Sequence, residues 1–258
     1  MLNLKEKKLL FDKNGFIILE NLLNNKNSFT LFDRVKSEII DEYDSNYNEI
    51  KKLGGFLTGN LDLKPSKGIV KIWEILKESK ISELLKELTN KDLNEYDIKY
   101  AGNVSLPNKG DQFYHTDGPK SARKILIGVP IEDINEIDGP TELIPGSHKQ
   151  RISYWKFHLR KFLKKKIRLI LNKGDIFIRE SYIWHKGTKN KSRKLRIIIL
   201  FILSEKNPNY INQDILDNIK FGDNMFKVSI KDRIREFVSI YLPIFYFLYK
   251  LLISFIRK

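Results

Sequence analysis

Apolar residues recur every three or four positions in three stretches of the N-terminal third, residues 4–11, 29–43 and 69–88. This spacing is typical of helices that bury one face, and each stretch is predicted to be a helix. Between the first two, four consecutive apolar residues at 16–19 follow an Asn-Gly pair and are predicted to form a buried strand. The N-terminal third is therefore predicted to be mainly helical.

The pattern changes from residue 96 onwards, where short apolar runs alternate with turn residues. Runs at 125–129, 176–178 and 197–203 are predicted to be strands. Helices followed by regularly spaced strands are typical of a jelly roll with helices packed outside it. Because no repeat and no Gly-, Ser- or Pro-rich linker interrupts the chain, we expect one mainly β domain with flanking helices over residues 1–224. A separate basic and hydrophobic C-terminal helix, a candidate for membrane association, is expected over residues 225–258.

The C-terminal segment contains a hydrophobic stretch, residues 237–256, in which Lys250 is the only charged residue. Twenty residues of helix span about 30 Å, the thickness of the hydrocarbon core of a bilayer. Lys250 in the inner half and Pro243 near the start argue against a transmembrane helix. Basic flanks and tyrosines favour peripheral attachment to an anionic membrane surface. A hydrophobic helix packed on the jelly roll or on a partner subunit is the alternative.

Basic residues are concentrated in the C-terminal part of the chain. Of the net charge of +15, residues 1–150 contribute −2 and residues 151–258 contribute +17. This asymmetry favours a surface that meets phosphate or carboxylate groups, although a lysine-rich composition can also serve solubility alone. Residues 156–168 combine basic and apolar positions, as in a membrane-surface helix, a lid over an anionic substrate or a solvated helix of the fold.

Composition excludes several classes of protein. The chain has no cysteine, which excludes disulfide scaffolds, thiolate zinc sites and cysteine nucleophiles and fits a reducing compartment. It has no zinc-finger or basic-zipper spacing, and its aromatic residues cluster in the tail rather than beside the lysines, so no nucleic acid partner is expected. The charged first ten residues do not resemble a signal peptide. We expect a cytoplasmic protein attached peripherally to the inner face of the cytoplasmic membrane.

The histidines are candidates for metal binding, and there are four of them: His115, His148, His158 and His185. His115 lies two residues before Asp117, and on an extended segment such residues project to the same face. His185 lies just before the longest predicted strand. Two imidazoles and one carboxylate form the facial triad of non-haem iron(II) oxygenases. Taken alone, however, His115 and Asp117 fit a hydrogen-bonded turn better.

Arg196 shifts the interpretation of His115 and Asp117 from a hydrogen-bonded turn towards a metal site. It lies among Ile and Leu residues on a predicted strand, eleven residues after His185. A buried guanidinium is costly unless it is paired. In such a position it can hold one end of a dicarboxylate through two parallel hydrogen bonds. The alternative is an arginine at the end of a strand that reaches solvent.

The chain resembles the phytanoyl-CoA dioxygenase family of iron(II)- and 2-oxoglutarate-dependent oxygenases. The resemblance covers roughly residues 10–205 and rests on five segments in the family's order and spacing. These are FDKNGFIILENLL at 11–23, HTDG at 115–118, DGPTELIPGSHK at 138–149, KGDIF at 173–177 and WHKGTKNKSRKLR at 184–196. It implies a double-stranded β-helix, the cupin-like jelly roll, with the iron held between its two sheets.

The resemblance also implies roles for individual residues. His115, Asp117 and His185 match the iron(II) ligands, and Arg196 matches the arginine that binds the distal carboxylate of 2-oxoglutarate. Asn103 is a candidate for a second hydrogen bond to this co-substrate. The Ser147-His148 turn is expected to be structural. O2 is the remaining co-substrate, and the carboxylate of Asp117 favours hydroxylation over halogenation.

We therefore expect an iron(II)- and 2-oxoglutarate-dependent dioxygenase that hydroxylates an unactivated C–H bond. Its expected substrate is a lipid, a glycolipid or an anionic glycan precursor at a membrane surface. One alternative keeps this chemistry but has a small soluble phosphonate or metabolite as its substrate. A second alternative is a catalytically inactive jelly-roll binding protein.

Overall fold

The structure is a computed structural model, and it describes residues 3–53, 59–118, 123–150, 152, 156–157, 164–222 and 229–256. The helices are α1 (Leu4–Asn14), α2 (Lys26–Ser45), α3 (Tyr47–Leu53), α4 (Lys67–Glu78), α5 (Ile81–Thr89), α6 (Ile230–Tyr241) and α7 (Pro243–Ile256). The strands are β1 (Phe16–Leu19), β2 (Asn60–Leu63), β3 (Tyr96–Ser105), β4 (Lys124–Pro130), β5 (Thr141–Leu143), β6 (Ile167–Arg168), β7 (Ile176–Glu180), β8 (His185–Gly187) and β9 (Arg196–Glu205).

The strands form two antiparallel sheets. The larger sheet has the order β1-β7-β4-β9-β3-β2, and the smaller sheet has the order β6-β5-β8. Except for β2 and β3, neighbouring strands of the larger sheet are not consecutive in sequence, and the chain passes between the two sheets repeatedly, as it does in a jelly roll. The predicted fold class, a mainly β jelly roll with flanking helices, is confirmed.

Strand β9 separates the core from the cavity between the sheets, because alternate residues of a strand point to opposite faces. One face of β9 packs in the main hydrophobic core with the helices and carries Ile197, Ile199, Phe201 and Leu203. The other face lines the cavity and carries Arg196, Ile198, Leu200 and Ile202. The arginine that was singled out in the sequence therefore points into the jelly roll.

Helix α4 covers the outer face of the larger sheet. Its apolar residues recur with helical spacing, and the ring of Trp73 lies 5.0 Å from that of Phe201 in β9. Ser66 caps the helix, since its hydroxyl accepts a hydrogen bond from the backbone N–H of Ile69 at 3.4 Å. The helical layer thus fixes the outer face of the strand that carries Arg196.

The prediction of one helix over residues 69–88 is wrong. Helix α4 ends at Glu78, and α5 begins at Ile81 after a change of direction. Ser79 is the reason, because its hydroxyl and its backbone N–H both donate to the carbonyl of Leu76, at 2.5 and 3.1 Å. A serine that bonds the preceding turn in this way competes with the continuing helix.

The prediction of one continuous helix over residues 237–256 is also wrong. Helix α6 ends at Tyr241, and α7 begins at Pro243. Proline has no N–H to donate to the preceding turn, but it suits the first turn of a helix, so it starts α7 rather than continuing α6. The two helices form a hairpin. Within the part of the chain that the structure describes, no helix is long and apolar enough to cross a membrane.

Six of the thirteen residues of the predicted amphipathic segment at 156–168, residues 158–163, lie outside the described residues. Its last two residues, Ile167–Arg168, form strand β6 and pair with β5, so a helix over the whole segment is ruled out. Arg168 contacts the carboxylates of Glu136 and Glu142 at 2.6 and 3.2 Å. Arg168 is therefore paired with Glu142 of the smaller sheet and with Glu136, which precedes that sheet in the chain.

Gly128 makes room for an aromatic ring in the middle of the larger sheet. It lies opposite Phe177 in the β4–β7 ladder, and a Cβ atom at Gly128 would lie 2.1 Å from the Phe177 ring. The ring covers the glycine and forms part of the cavity wall. This close approach, rather than backbone freedom, requires glycine at this position.

We predict that Gly128→Ala destabilises the protein by about 1–3 kcal/mol, the usual cost of overpacking. In a Phe177→Leu background the same substitution should cost less, because Leu lacks the outer ring atoms. Urea unfolding of the four variants in this cycle measures both values. Equal costs in the two backgrounds would show that the ring is not the constraint.

Candidate metal centre

His115 and His185 are held side by side by the backbone. The N–H of His115 donates to the carbonyl of His185 at 2.9 Å, and the N–H of His185 donates to the carbonyl of His115 at 3.0 Å. Residues that face each other in an antiparallel pair project their side chains to the same face. The two imidazole centroids lie 4.3 Å apart as a result.

Asp117 completes the cluster. Its backbone N–H donates to the carbonyl of Ser181 at 2.8 Å, which keeps the segment after His115 against the end of β7. Its carboxylate oxygens lie 3.6 Å from Nε2 of His115 and 3.5 Å from Nε2 of His185. One ligand atom from each residue lies within 4.8 Å of the other two. The structure therefore brings together the three residues that the sequence singled out.

Both imidazoles are oriented for metal binding through Nε2. Nδ1 of His115 lies 2.8 Å from the carbonyl of Phe113, and Nδ1 of His185 lies 3.0 Å from the carbonyl of Ile183. A carbonyl can only accept, so each Nδ1 carries a hydrogen, and Nε2 is the nitrogen left to bind a metal. Second contacts of this kind fix the ring orientation of metal-binding histidines.

His185 stays neutral at physiological pH. Burial, together with the positive charge of Arg179, lowers its pKa to about 3. The neutral imidazole is the form that binds a metal, so no proton has to be displaced.

Asp117 stays ionised beside it. Its side chain is 30% accessible, from the cavity side. Partial desolvation works to raise its pKa, but the neighbouring histidines and the Arg179 guanidinium hold the pKa well below its usual range. Because His185 is neutral near pH 7, Arg179 is the charged partner that matters there. Two imidazoles and one carboxylate fit a ferrous ion with three positions left open.

Arg196 is a buried cation in the same cavity. It is 3% exposed, and its Nη2 donates to Asn103 Oδ1 at 2.7 Å and, less closely, to Asn60 Oδ1 at 3.4 Å. Its Nε has no hydrogen-bond partner and no carboxylate pairs with it, within the described residues. Burial lowers its pKa to about 10. These features fit a carboxylate that accepts from both Nε and Nη2, as the distal carboxylate of 2-oxoglutarate would.

Asn103 was predicted to contact the co-substrate. In the structure its amide oxygen holds the Arg196 guanidinium, and its side chain also lines the cavity. Its contact with Arg196 positions the cation, and a direct contact with 2-oxoglutarate stays a prediction. Ser147 has a structural role, because its hydroxyl accepts from the backbone N–H of Trp184, next to His185.

The triad and Arg196 share one cavity of about 510 Å³ between the sheets. One part of its wall is apolar and consists of Leu126, Phe177, Ile198, Leu200 and Ile202. The remaining lining includes charged and polar side chains, among them Asp62, Lys64, Lys99, Tyr100 and Gln213. The cavity therefore offers an apolar surface and a polar one next to the candidate metal centre.

Sequence reasoning missed two residues of this site. Arg179 in β7 is 5% exposed and donates through Nη2 to Oδ2 of Asp117. Gln112 lies in the cavity wall, and its side-chain oxygen accepts from the backbone N–H of Gly187 at 2.7 Å. The sequence contains a pattern that could have identified Arg179. This charged residue directly follows the apolar run at 176–178, just as Arg196 directly precedes the apolar run at 197–203.

Solved structures with the same fold include three that match most of this chain. SnoK, a non-heme alpha ketoglutarate dependent carbocyclase from nogalamycin biosynthesis, is 14% identical with a TM-score of 0.58, and the match covers 78% of this chain and 83% of SnoK. AviO1 from Streptomyces viridochromogenes Tue57 is 13% identical with a TM-score of 0.58, covering 83% and 99%. The epimerase SnoN, in complex with Fe3+, alpha ketoglutarate and nogalamycin RO, is 12% identical with a TM-score of 0.54, covering 85% and 96%.

These neighbours establish the jelly-roll fold. The predicted cofactors, iron and 2-oxoglutarate, are confirmed for this type of protein, and the triad and Arg196 supply groups that fit them. The sequence also matches the family model of phytanoyl-CoA dioxygenase over residues 11–198, a range that contains all three triad residues and Arg196. Since this match spans most of the chain, the protein belongs to the phytanoyl-CoA dioxygenase family.

Proposed function

We propose that this protein is an iron(II)- and 2-oxoglutarate-dependent dioxygenase that hydroxylates an unactivated C–H bond of a lipid, a glycolipid or an anionic glycan precursor at a membrane surface. One observation carries the proposal of catalysis. The His115–Asp117–His185 cluster and the incompletely paired guanidinium of Arg196 line the same cavity. A binding protein without catalytic activity has no need for both.

Each group has a defined task in this reaction. Nε2 of His115, Nε2 of His185 and a carboxylate oxygen of Asp117 would hold the iron on one face. Arg196 would hold the distal carboxylate of 2-oxoglutarate, positioned by Asn103. When bound, these cofactors and O2 supply the oxidation, in which 2-oxoglutarate becomes succinate and carbon dioxide and one oxygen atom enters the C–H bond. The apolar cavity wall excludes water from the reacting atoms.

The carboxylate of Asp117 supports hydroxylation as the outcome. With the metal bound, Asp117 would supply the third protein ligand, so the protein would leave no ligand position vacant for a halide. A substrate hydrogen held against the open face is then replaced by hydroxyl.

A second candidate keeps the cofactors but acts on a small soluble metabolite. The cavity of about 510 Å³ is within the range of small-molecule sites. The structural neighbours SnoK and SnoN are a carbocyclase and an epimerase, so this fold also supports outcomes other than hydroxylation in those proteins. The action on a membrane substrate is favoured by the C-terminal hairpin.

The C-terminal hairpin, defined as α6 and α7, exposes many large apolar side chains. The large apolar side chains that are exposed on it or at its turn are Ile230, Ile234, Phe237, Tyr241, Leu242, Ile244, Phe245, Leu248, Tyr249 and Leu252. Apolar patches of this kind on a single chain mark interaction surfaces. Exposed Lys231 and Arg235 lie beside them, next to a groove between the two helices.

An anionic bilayer surface matches this combination of apolar and basic groups. Helix α7 has fourteen residues, about 21 Å in length, which is too short to cross the hydrocarbon core but suits an orientation along the interface. The ring of Tyr246 in α7 lies 5.5 Å from that of Phe113, two residues before His115. Attachment through the hairpin would therefore bring the membrane close to the segment that carries a metal ligand.

Uncoupled turnover tests the chemistry. With Fe(II), 2-oxoglutarate and O2, the purified protein is expected to form succinate slowly in the absence of its substrate. His185→Ala should abolish this activity, because it removes one of two imidazole ligands. His148→Gln is the matched control, since His148 lies outside the triad, and it should retain activity near the wild-type level. A wild-type protein that forms no succinate with added Fe(II) would support the inactive binding protein instead.

Binding of 2-oxoglutarate tests Arg196. Arg196→Lys keeps the charge but loses the two parallel donors, so the KM for 2-oxoglutarate is expected to rise on the order of tenfold or more. Arg193→Lys, an exposed position on the same segment, serves as the control and should leave the KM unchanged. An unchanged KM in the Arg196 variant would remove this residue from co-substrate binding.

Vesicle flotation tests the membrane proposal. The protein is expected to float with vesicles that contain phosphatidylserine and to lose binding at high salt. Phe245→Glu with Leu248→Glu should abolish flotation, and these side chains are 66% and 52% exposed, so folding is expected to be retained. Ile211→Glu is the matched control at an 87% exposed position outside the hairpin. Equal flotation of all three proteins would contradict the role of the hairpin.

A further inference from the structure

Arg179 is a second buried cation of the cavity, and its hydrogen bonds are incomplete. Its Nη2 donates to Oδ2 of Asp117, and its Nη1 lies 3.4 Å from the carbonyl of Glu180. Its Nε is buried and has no partner within the described residues. Nε and Nη2 lie on the same edge of a guanidinium and together match the two oxygens of a carboxylate or a phosphate.

Arg123 shows what a complete contact looks like in this protein. Its Nε donates to both carboxylate oxygens of Glu180, at 2.8 and 3.1 Å, and its Nη2 donates to one of them at 2.5 Å. Glu180 is adjacent to Arg179 in sequence, but its carboxylate is used by Arg123. Among the described residues, Asp117 is the one carboxylate that pairs with Arg179.

Asp117 cannot fully satisfy Arg179 once the site is loaded, because its carboxylate is then shared with the metal. The charges of a ferrous ion, doubly ionised 2-oxoglutarate, Asp117 and Arg196 cancel. Among the described residues, the guanidinium of Arg179 then has no other carboxylate in contact with it. A buried charge in that state is unfavourable unless an anion pairs with it.

We propose that Arg179 binds an anionic oxygen group of the primary substrate, a carboxylate or a phosphate, next to the metal centre. This proposal rests on the proposed function and narrows the substrate to molecules with such a group near the oxidised carbon. The apolar residues Leu126 and Phe177 line the same cavity and suit the hydrocarbon part of that substrate. Lys64 and Lys99, which also line it, favour entry of an anion.

The test uses binding rather than turnover. The full-length protein is loaded with Co(II) and 2-oxoglutarate and titrated with three probes of similar length: hexanoate, butyl phosphate and neutral hexanamide. Perturbation of the Co(II) absorption spectrum reports binding near the metal, and calorimetry gives the dissociation constant. The wild type is expected to bind one or both anions at least about tenfold more tightly than hexanamide, the usual size of a charged hydrogen-bond contact. The two anionic arms distinguish a carboxylate substrate from a phosphate substrate.

Variants assign the preference to the residue. Arg179→Gln removes the charge while keeping a polar side chain, and it should lose the preference for anions. Arg179→Lys keeps the charge and should retain part of the preference for anions. Arg34→Gln, an arginine on α2 that does not line the cavity, should behave as the wild type. The affinities for Co(II) and for 2-oxoglutarate are measured in parallel.

Several results would overturn the proposal. If the wild-type protein binds hexanoate and butyl phosphate no more tightly than hexanamide, the proposal fails before any variant is measured. If Arg179→Gln weakens Co(II) binding but keeps the preference, Arg179 only orients Asp117. If it weakens 2-oxoglutarate binding but keeps the preference, the guanidinium serves the keto acid. If the wild-type protein forms succinate but shows no preference for the anionic probes, this inference fails and the proposed function is retained. A protein that binds neither Co(II) nor 2-oxoglutarate would overturn both.

Discussion

The metal centre depends on one pair of backbone hydrogen bonds, those between His115 and His185. They join the segment after β3 to β8 of the smaller sheet, and they put two residues that are 70 positions apart directly opposite each other. The positions of the other groups of the metal centre depend on this pairing. Asp117 follows by the two-residue repeat of an extended chain, and the carbonyls of Phe113 and Ile183 turn both Nε2 atoms towards it. The geometry is thus held by main-chain contacts rather than by flexible side chains, which suits a site that must not rearrange during turnover.

The larger sheet has two functions. One of its faces packs in the hydrophobic core, and the other forms a wall of the cavity. The strict alternation of β9 achieves both, with helix-facing apolar residues on one side and Arg196 on the other. A shift of one residue in the β3–β9 register would exchange the two faces. The ten-residue pairing of these strands therefore secures the position of the cation as well as the stability of the fold.

The sequence singled out Arg196 because a side chain with costly burial stands out among apolar neighbours. The roles of His115, Asp117 and His185 were predicted from the order and spacing of the five segments that resemble the family. The sequence also predicted strands at 125–129, 176–178 and 197–203 because these apolar runs are bounded by turn residues. Two helices were predicted to be too long, since apolar periodicity alone does not report the hydroxyl contacts of Ser79 or the break before Pro243. Arg179 was missed because its importance arises from Asp117, a partner 62 residues away that only the folded chain brings near.

Arg196 has a consequence for the lifetime of the protein. Without an anion, the fold keeps a guanidinium almost fully buried and incompletely hydrogen-bonded, which weakens the native state. A dicarboxylic acid that binds the native chain and not the unfolded one shifts the folding equilibrium by mass action. Supply of the keto acid would then govern not only the rate of the reaction but also how rapidly proteases remove the empty protein.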